Sequence, residues 1–230
     1  MKFIHEIVDL PELTAVQTDR GRLYNTPSGA AYPSITTVLG ARPEKKRLLA
    51  EWRARVGEQE ANKVSAQASR RGTSIHNMME KYFLGEDPIS GEMPSNVTMF
   101  NSIRSATDKY LTHIYAMEAP LYSDKMQIAG RCDLVGKWAG MDCIIDFKTS
   151  KRLKEEAHID NYLLQASAYS LMFEELTARI IPGIVVLIGV DDEVKPQMFC
   201  RYRDKYVDEL CQVILEYYTG RRLHYNHNPV

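Results

Sequence analysis

The chain has 230 residues, of which 44% are hydrophobic, and its 30 acidic residues balance 29 Lys and Arg to leave a net charge of -1. This hydrophobic content is enough for the core of one large domain, and the charge balance excludes a protein covered in basic charge. The four cysteines form no Cys-x-x-Cys pair and have no zinc-binding spacing. We therefore expect neither a disulfide framework nor a zinc finger.

The sequence contains no apolar run long enough to cross a bilayer, and its first residues lack the pattern of a signal or transit peptide. The cysteine usage favours a reducing compartment. We expect a cytoplasmic protein of a bacterial cell or of a phage-infected host, with no membrane partner.

The first half of the chain predicts helices after an irregular start. Residues 1–33 carry turn signals at Asn25, Pro27 and Gly29 and predict a hairpin-like segment. Apolar residues at helical spacing then predict three helices. Their ranges are about 43–62, 66–84 and 96–117, with a loop rich in Gly and Pro before the third.

The apolar period changes to that of strands in the second half. Strands are predicted at 120–128, 131–138, 142–149, 184–188 and 196–202, with a tight turn at Ala139 and Gly140 and helices at about 158–176 and 203–219. This order predicts an α/β fold, in which a mixed central β-sheet of about five strands is flanked by helices. We expect a single domain over 1–230, with 1–117 a mainly helical elaboration and 118–230 the α/β core.

A basic run covers the first predicted helix and the start of the second. From Ala41 to Arg71 there are nine Lys or Arg against four Glu. Such a run is typical of a surface that follows a phosphate backbone. A solvated helix face explains it equally well.

Two strands joined by the tight turn carry the main candidate site. Asp133 lies on the first strand and Asp146 thirteen residues later on the second, followed by Lys148. Because side chains alternate along a strand, Asp146 and Lys148 point to one face and Phe147 to the other. Carboxylate oxygens and the carbonyl of Phe147 are ligands that suit Mg²⁺ or Mn²⁺. Lys148 would hold an attacking water or neutralise charge on a phosphate, so the pattern indicates a metal-dependent phosphodiesterase.

Two helical pairs add polar groups. His76 and Glu80 are four residues apart and share a helix face, on which a histidine is either structural or a metal ligand. Gln165 and Tyr169 have the same spacing. They would either contact a scissile phosphate or terminal nucleotide, or form a hydrogen-bonded pair in the core.

In order and spacing, these pieces resemble the RecB-type branch of the PD-(D/E)XK nucleases, and within it the mitochondrial genome maintenance exonucleases and their phage and bacterial relatives. The resemblance covers about residues 33–169. The matching segments are Ser34 and Thr36 after Pro33, Arg71-Gly72 with His76 and Glu80, Glu118 before Gly130 and Asp133, Ile145 through Lys151, and Gln165 with Tyr169.

The resemblance implies roles for individual residues. His76, Asp133, Asp146 and the Phe147 carbonyl would bind the metal, and Lys148 would be the catalytic lysine. Gln165 and Tyr169 would form the family's helical motif beside the active site, and Glu80 and Glu118 would be supporting acids. Some relatives hold an iron–sulfur cluster through one upstream and three downstream cysteines. The downstream triplet is missing from this sequence, so we expect no iron–sulfur cluster.

The resulting hypothesis is a metal-dependent DNA exonuclease that uses Mg²⁺ or Mn²⁺ and acts on single-stranded DNA or DNA ends, threading a strand through a helical arch, in replication, recombination or repair. Replication or recombination proteins would be its partners. DNA contacts are expected from Ser34, Thr36, Arg70, Arg71, Lys151 and Arg152. The alternatives are a structure-selective, double-strand or CRISPR-adaptation endonuclease on the same fold, and a catalytically silent DNA-binding module. Retention of the acids and the lysine argues against the silent module.

Overall fold

The structure is a computed structural model that describes residues 2–225 and the side chains of residues 2–220. The helices are α1 Ile35–Gly40, α2 Pro43–Val56, α3 Glu58–Leu84, α4 Pro94–Tyr110, α5 Asp160–Thr177 and α6 Val207–Tyr225. The strands are β1 Ile4–His5, β2 Thr14–Thr18, β3 Gly21–Asn25, β4 Ala31–Pro33, β5 Leu111–Ser123, β6 Ile128–Trp138, β7 Met141–Ser150, β8 Gly183–Val190 and β9 Gln197–Tyr202. Short 3₁₀ turns precede α5 and α6.

The central sheet has six strands in the order β1-β5-β6-β7-β8-β9. The β1–β5 and β7–β8 pairs are parallel and the others are antiparallel. The predicted α/β fold with a mixed, helix-flanked sheet is therefore confirmed. The sheet has one strand more than expected because the two-residue β1 adds at the β5 edge, a length too short to leave a sequence pattern.

Strands β6 and β7 form the predicted tight hairpin. Trp138 pairs with Met141, and the two residues between them, Ala139 and Gly140, both have positive φ, at 47° and 86°. Two left-handed residues in a two-residue loop match the right-handed twist of the flanking strands. The hairpin brings the two candidate aspartates onto neighbouring strands.

Each face of the sheet has its own hydrophobic core. Helices α1, α5 and α6 cover one face, with Ile144, Leu164 and Phe173 among the buried residues. Helices α3 and α4 cover the other, where Ile145 and Phe147 pack against Ile75, Met78, Phe83 and Phe100. Ile145 and Phe147 thus lie on the same face, as the alternation along the strand predicts.

Several element boundaries differ from the sequence expectation. The strand predicted at 120–128 ends at Ser123, residues 124–127 form a turn, and β6 begins at Ile128 instead of 131. Helix α2 ends at Gly57, which has a φ of 87°. Helix α3 is then one continuous helix from Glu58, so the break lies earlier than the one predicted after residue 62. Helix α4 ends at Tyr110 instead of continuing to 117, because the chain from Leu111 pairs with β6. Ile114, which also fits a helical spacing, is fully buried in β5. Sheet pairing overrides a local period that fits both structures.

The N-terminal segment forms a separate sheet of three strands in the order β2-β3-β4. Its second turn lies where the sequence predicts one, with Thr26 N donating to Ala30 O at 2.8 Å and Gly29 at a φ of 85°. Within the described residues, no helix is both long and apolar enough to cross a membrane.

Candidate active site

Three acidic residues form a row across the neighbouring strands β5, β6 and β7. The pairs Met117–Leu134 and Ala119–Cys132 place Glu118 across from Asp133. The last β6–β7 pair before the strands diverge is Leu134–Ile145, and the next residues are Asp133 and Asp146. The acids therefore meet in one row where β6 and β7 separate.

Both β5 and β6 are distorted at this row. Glu118 has a φ of 43°, in the left-handed region that costs a residue with a side chain about 1–2 kcal/mol. Its carbonyl accepts a 2.8 Å hydrogen bond from Arg131 Nη1. On β6, Cys132 and Leu134 pack into opposite cores, so the alternation of faces is interrupted at Asp133. Backbone strain that persists at a polar cluster is a feature of functional sites.

Asp133 is held by the neighbouring strand. Its Oδ2 accepts a 2.7 Å hydrogen bond from the backbone N–H of Phe147. Burial and the negative charge of Asp146 raise the pKa of Asp133 to about 7. The neighbouring buried carboxylates of Asp133 and Asp146 favour the binding of a cation at this site.

Asp146 is fully buried, and neither of its carboxylate oxygens accepts a hydrogen bond from the described residues. Lys148 Nζ lies 2.5 Å from Asp146 Oδ2, without hydrogen-bond angles, and 5.4 Å from the centre of the Tyr162 ring. Burial opposes the charged amine, but Asp146 and Asp133 outweigh it and raise the pKa of Lys148. The ion pair with Lys148 leaves Asp146 Oδ1 buried without a hydrogen bond from the described residues, which favours a second cation at this point.

His76 reaches the acids from α3. Its Nε2 donates to the carbonyl of Phe147 at 3.0 Å, and its Nδ1 lies 3.4 Å from Asp133 Oδ1 and 3.6 Å from Glu118 Oε1. Burial lowers the pKa of the imidazole, but Asp133 and Glu118 overcome this and raise it to about 9. Without a metal the ring is therefore a cation between two carboxylates, and it would lose a proton on binding one.

These donors fit a hard divalent cation. One ligand atom each from His76, Glu118 and Asp133 lie within 4.8 Å of one another. Asp146 supplies two more carboxylate oxygens, of which Oδ2 also pairs with Lys148, and the Phe147 carbonyl lies against His76. Carboxylate and carbonyl oxygens with one imidazole form a ligand set typical of Mg²⁺ or Mn²⁺.

Glu118 is more central here than the sequence indicates. With the strand predicted to begin at residue 120, Glu118 would precede the sheet, and only a supporting role could be assigned to it. A strand extended back to Leu111 gives the register that places Glu118 beside Asp133. Glu80 lies elsewhere: it is half-buried on α3 and makes no side-chain hydrogen bond or ion pair within the described residues.

Gln165 and Tyr169 form a buried pair on α5. Gln165 Nε2 donates to the Tyr169 hydroxyl at 3.1 Å. A Cβ on Gly130 would lie 2.6 Å from Tyr169 Cε1, so the ring packs directly on the β6 backbone. Burial and the nearby Asp133 and Asp146 raise the pKa of Tyr169. These contacts fix α5 against β6 beside the acids, and they fit both sequence interpretations of the pair.

The expected DNA-contacting residues lie in different environments. Ser34 is buried and caps α1 through a 3.0 Å bond from Thr37 N. Arg71 is half-buried, with its Nε unpaired and its Nη1 3.9 Å from Asp191 at the end of β8. The remaining four are solvent-exposed: Thr36, Arg70, Lys151 and Arg152.

Helix α2 and the first half of α3 run between two anchors on either side of the central sheet. Arg42, before α2, binds Asn161 and Glu209 on the α5/α6 face. Arg71 of α3 contacts Asp191 on the α3/α4 side, beyond the last β7–β8 pair. Between these two anchors α2 has no buried residue. We call residues 43–70 the arch.

The chain was compared with known proteins. No family model matches it. It is similar to mitochondrial genome maintenance exonuclease 1 of Homo sapiens, with 26% identity over 147 residues, which is 60% of this chain and 42% of that protein. The Mus musculus protein is 24% identical over 129 residues (53% and 38%), and the Xenopus tropicalis protein is 25% identical over 136 residues (56% and 39%).

The similarity is distant, and it is to an exonuclease family. The chain spans about two fifths of the length of the curated relatives it matches.

Proposed function

We propose that this chain is a metal-dependent DNA exonuclease that hydrolyses phosphodiester bonds at a free end of single-stranded DNA, in replication, recombination or repair. The observation that carries the proposal is the row of Glu118, Asp133 and Asp146, with His76 and Lys148. The similarity to proteins named exonucleases supports the same reaction.

The metal would be held by His76, Glu118, Asp133 and Asp146, with the Phe147 carbonyl as a further donor. When bound, a divalent cation there would polarise the scissile phosphate and lower the pKa of a water molecule. Mg²⁺ and Mn²⁺ both suit this set of donors.

Lys148 would act on the substrate directly. Asp146 at 2.5 Å and the Tyr162 ring hold its ammonium group beside the acids. A fixed positive charge at this point stabilises negative charge that develops on the phosphate oxygens, and it orients a water for attack. Gln165 and Tyr169 would act as positioning residues through their packing on β6.

The arch explains why a free end would be required. A DNA strand that reaches the acids would pass beneath residues 43–70. It would either thread a free end through this segment or enter from the side. Exposed cations on both sides of the opening, Arg70 on α3 and Lys151 and Arg152 after β7, would contact successive phosphates. The half-buried Trp52 on α2 offers a ring on which a base could stack.

The test uses end-labelled linear and closed circular single-stranded DNA with Mg²⁺ or Mn²⁺. Linear strands should be shortened from an end and circles should resist, because a circle has no end to thread. Lys148→Ala and Asp146→Asn should lower the rate by about a hundredfold or more. Lys125→Ala removes an exposed lysine outside the site and should leave the rate unchanged.

Three results would contradict the proposal. Circles cut as fast as linear strands would show that no free end is needed and would favour the endonuclease alternative. Full activity in Asp146→Asn or Lys148→Ala would show that the acid row is not the site. DNA binding without cleavage in any metal would favour the silent module.

A further inference from the structure

Tyr162 is a residue of the candidate site that the sequence patterns do not single out. It lies in the first turn of α5, is half-buried and packs against the core beneath that helix. Gln165 and Tyr169 follow it by three and seven residues, so the three side chains share one face of α5. This face packs beside the acid row, and at Tyr162 it reaches Lys148.

The ammonium group of Lys148 has two partners within the described residues. One is Asp146, whose Oδ2 lies 2.5 Å from Nζ, and the other is the Tyr162 ring, whose centre lies 5.4 Å from Nζ. A cation within about 6 Å of an aromatic centre is attracted by the electron-rich face of the ring. The Lys148 side chain is only 18% exposed, so this attraction is weakly screened by solvent. If one partner is lost, the position of Lys148 depends on the other.

Asp146 would serve two cations when the proposed metal site is occupied. Its Oδ2 is the ion-pair partner of Lys148 and is also one of the oxygens available to the metal. An oxygen bound to a divalent cation attracts an ammonium group less strongly, and the two positive charges repel each other. The Tyr162 ring is uncharged and is not among the proposed metal ligands. Its attraction for Lys148 therefore persists in the metal-bound state.

We infer that Tyr162 is a positioning residue, which holds Lys148 through the face of its aromatic ring while Asp146 binds the metal. The hydroxyl of Tyr162 has no hydrogen-bond partner within the described residues, so the inference assigns the effect to the ring. It rests on the proposed nuclease function for what Lys148 does, whereas the contact between Tyr162 and Lys148 does not depend on that function.

The first test compares kcat on end-labelled single-stranded DNA with Mg²⁺. Tyr162→Leu should lower kcat by about three- to thirtyfold and leave the KM for DNA nearly unchanged, because it removes a cation–π contact and no contact with DNA. Tyr162→Phe keeps the ring and should keep most of the rate. Tyr206→Leu is the matched control, since Tyr206 is also half-buried against the same core, and it should leave kcat unchanged. In a Lys148→Ala background, Tyr162→Leu should cause no further loss, because the group that it positions is absent.

The second test needs no catalysis. In protein labelled with ¹³C-lysine, the side-chain signal that disappears in Lys148→Arg identifies Lys148 by nuclear magnetic resonance. Protons over the face of an aromatic ring are shielded, so the ε-methylene protons of Lys148 should resonate upfield of those of exposed lysines. Tyr162→Leu should move this signal to the position of an ordinary lysine, whereas Tyr162→Phe should not. The upfield position should be the same in EDTA and in saturating Mg²⁺.

Several results would overturn the inference. An unchanged kcat in Tyr162→Leu is one, and additive losses from Tyr162→Leu and Lys148→Ala are another. A Tyr162→Phe variant as slow as Tyr162→Leu would assign the effect to the hydroxyl instead of the ring. A wild-type protein that cleaves no DNA would refute the proposed function, and the resonance comparison would then decide the inference alone. A Lys148 signal at the same position in the wild type and in Tyr162→Leu would show that the ring does not hold the lysine.

Discussion

Substitutions at Glu118 separate the strain in the backbone from the function of the carboxylate. Glu118→Ala and Glu118→Gly both remove the carboxylate, so they differ only in how the backbone tolerates a φ of 43°. At an ordinary strand position glycine is less stable than alanine by about 0.5–1 kcal/mol. A left-handed residue with a Cβ costs about 1–2 kcal/mol, which glycine avoids. The difference predicts that Glu118→Gly is the more stable variant by about 0.5–1 kcal/mol.

Urea unfolding in EDTA measures this difference. The midpoint of thermal unfolding of Glu118→Gly should also be higher than that of Glu118→Ala by about 1–4 °C for a chain of this size. Ala119→Gly, the next residue of β5 and outside the positive-φ positions, is the matched control and should destabilise the protein. Mn²⁺ binding by calorimetry should weaken by at least about tenfold in both Glu118 variants, since both lack the carboxylate.

A Glu118→Gly variant less stable than Glu118→Ala would refute the strain at this position. Unchanged Mn²⁺ affinity in the two variants would refute Glu118 as a metal ligand and leave His76, Asp133 and Asp146. The two outcomes are independent, because unfolding is measured without metal.

Three further predictions concern the rest of the molecule. Gly130→Ala should destabilise the protein by about 1–3 kcal/mol in urea unfolding, because its Cβ would clash with Tyr169, whereas Gly220→Ala has open space around it and should be neutral or stabilising. Burial raises the pKa of the Cys143 thiol to about 12, so iodoacetamide at pH 8 should modify the exposed Cys211 and spare Cys143 until the protein is unfolded, as followed by mass spectrometry. Equal labelling of the two thiols would contradict this. Mn²⁺ at a hundred times its Kd should stabilise the protein by about 2.7 kcal/mol, a gain that EDTA reverses and that Asp146→Asn should largely abolish.

The β-hairpin was predictable because its signals are local. A tight turn at Ala139 and Gly140, flanked by apolar strands, fixes the register, and the register puts Asp133 next to Asp146. The alternation of side chains along β7 likewise predicted that Lys148 shares a face with Asp146. These features depend on neighbours a few residues away in the sequence.

The partners of His76 were not predictable in this way. The i, i+4 rule selects Glu80, but the acids near the ring are Glu118 and Asp133. Which helix face meets the sheet is decided by the packing of Ile75 and Met78 into the core, and that packing turns His76 toward the acid row. The position of Glu118 depends on a strand distortion with no sequence signature other than the acid itself.

A helical arch was part of the sequence hypothesis, but its location was not predictable from the sequence. The basic run from Ala41 to Arg71 fits a phosphate-binding surface and a solvated helix equally well, because α2 buries no residue and so shows no strong apolar period. Its two ends are held by contacts of Arg42 and Arg71 with residues more than a hundred positions away.

The two separate cores have a consequence for how this protein would lose activity. His76 is positioned by the core beneath α3 and α4, while Gln165 and Tyr169 are positioned by the core beneath α5. The acid row lies on the sheet between these two cores. A small loosening of either core would shift His76 relative to Gln165 and Tyr169 before any helix unfolds. Heat inactivation should therefore precede the loss of helical circular dichroism, and core substitutions on either face should reduce turnover at temperatures where the fold is intact.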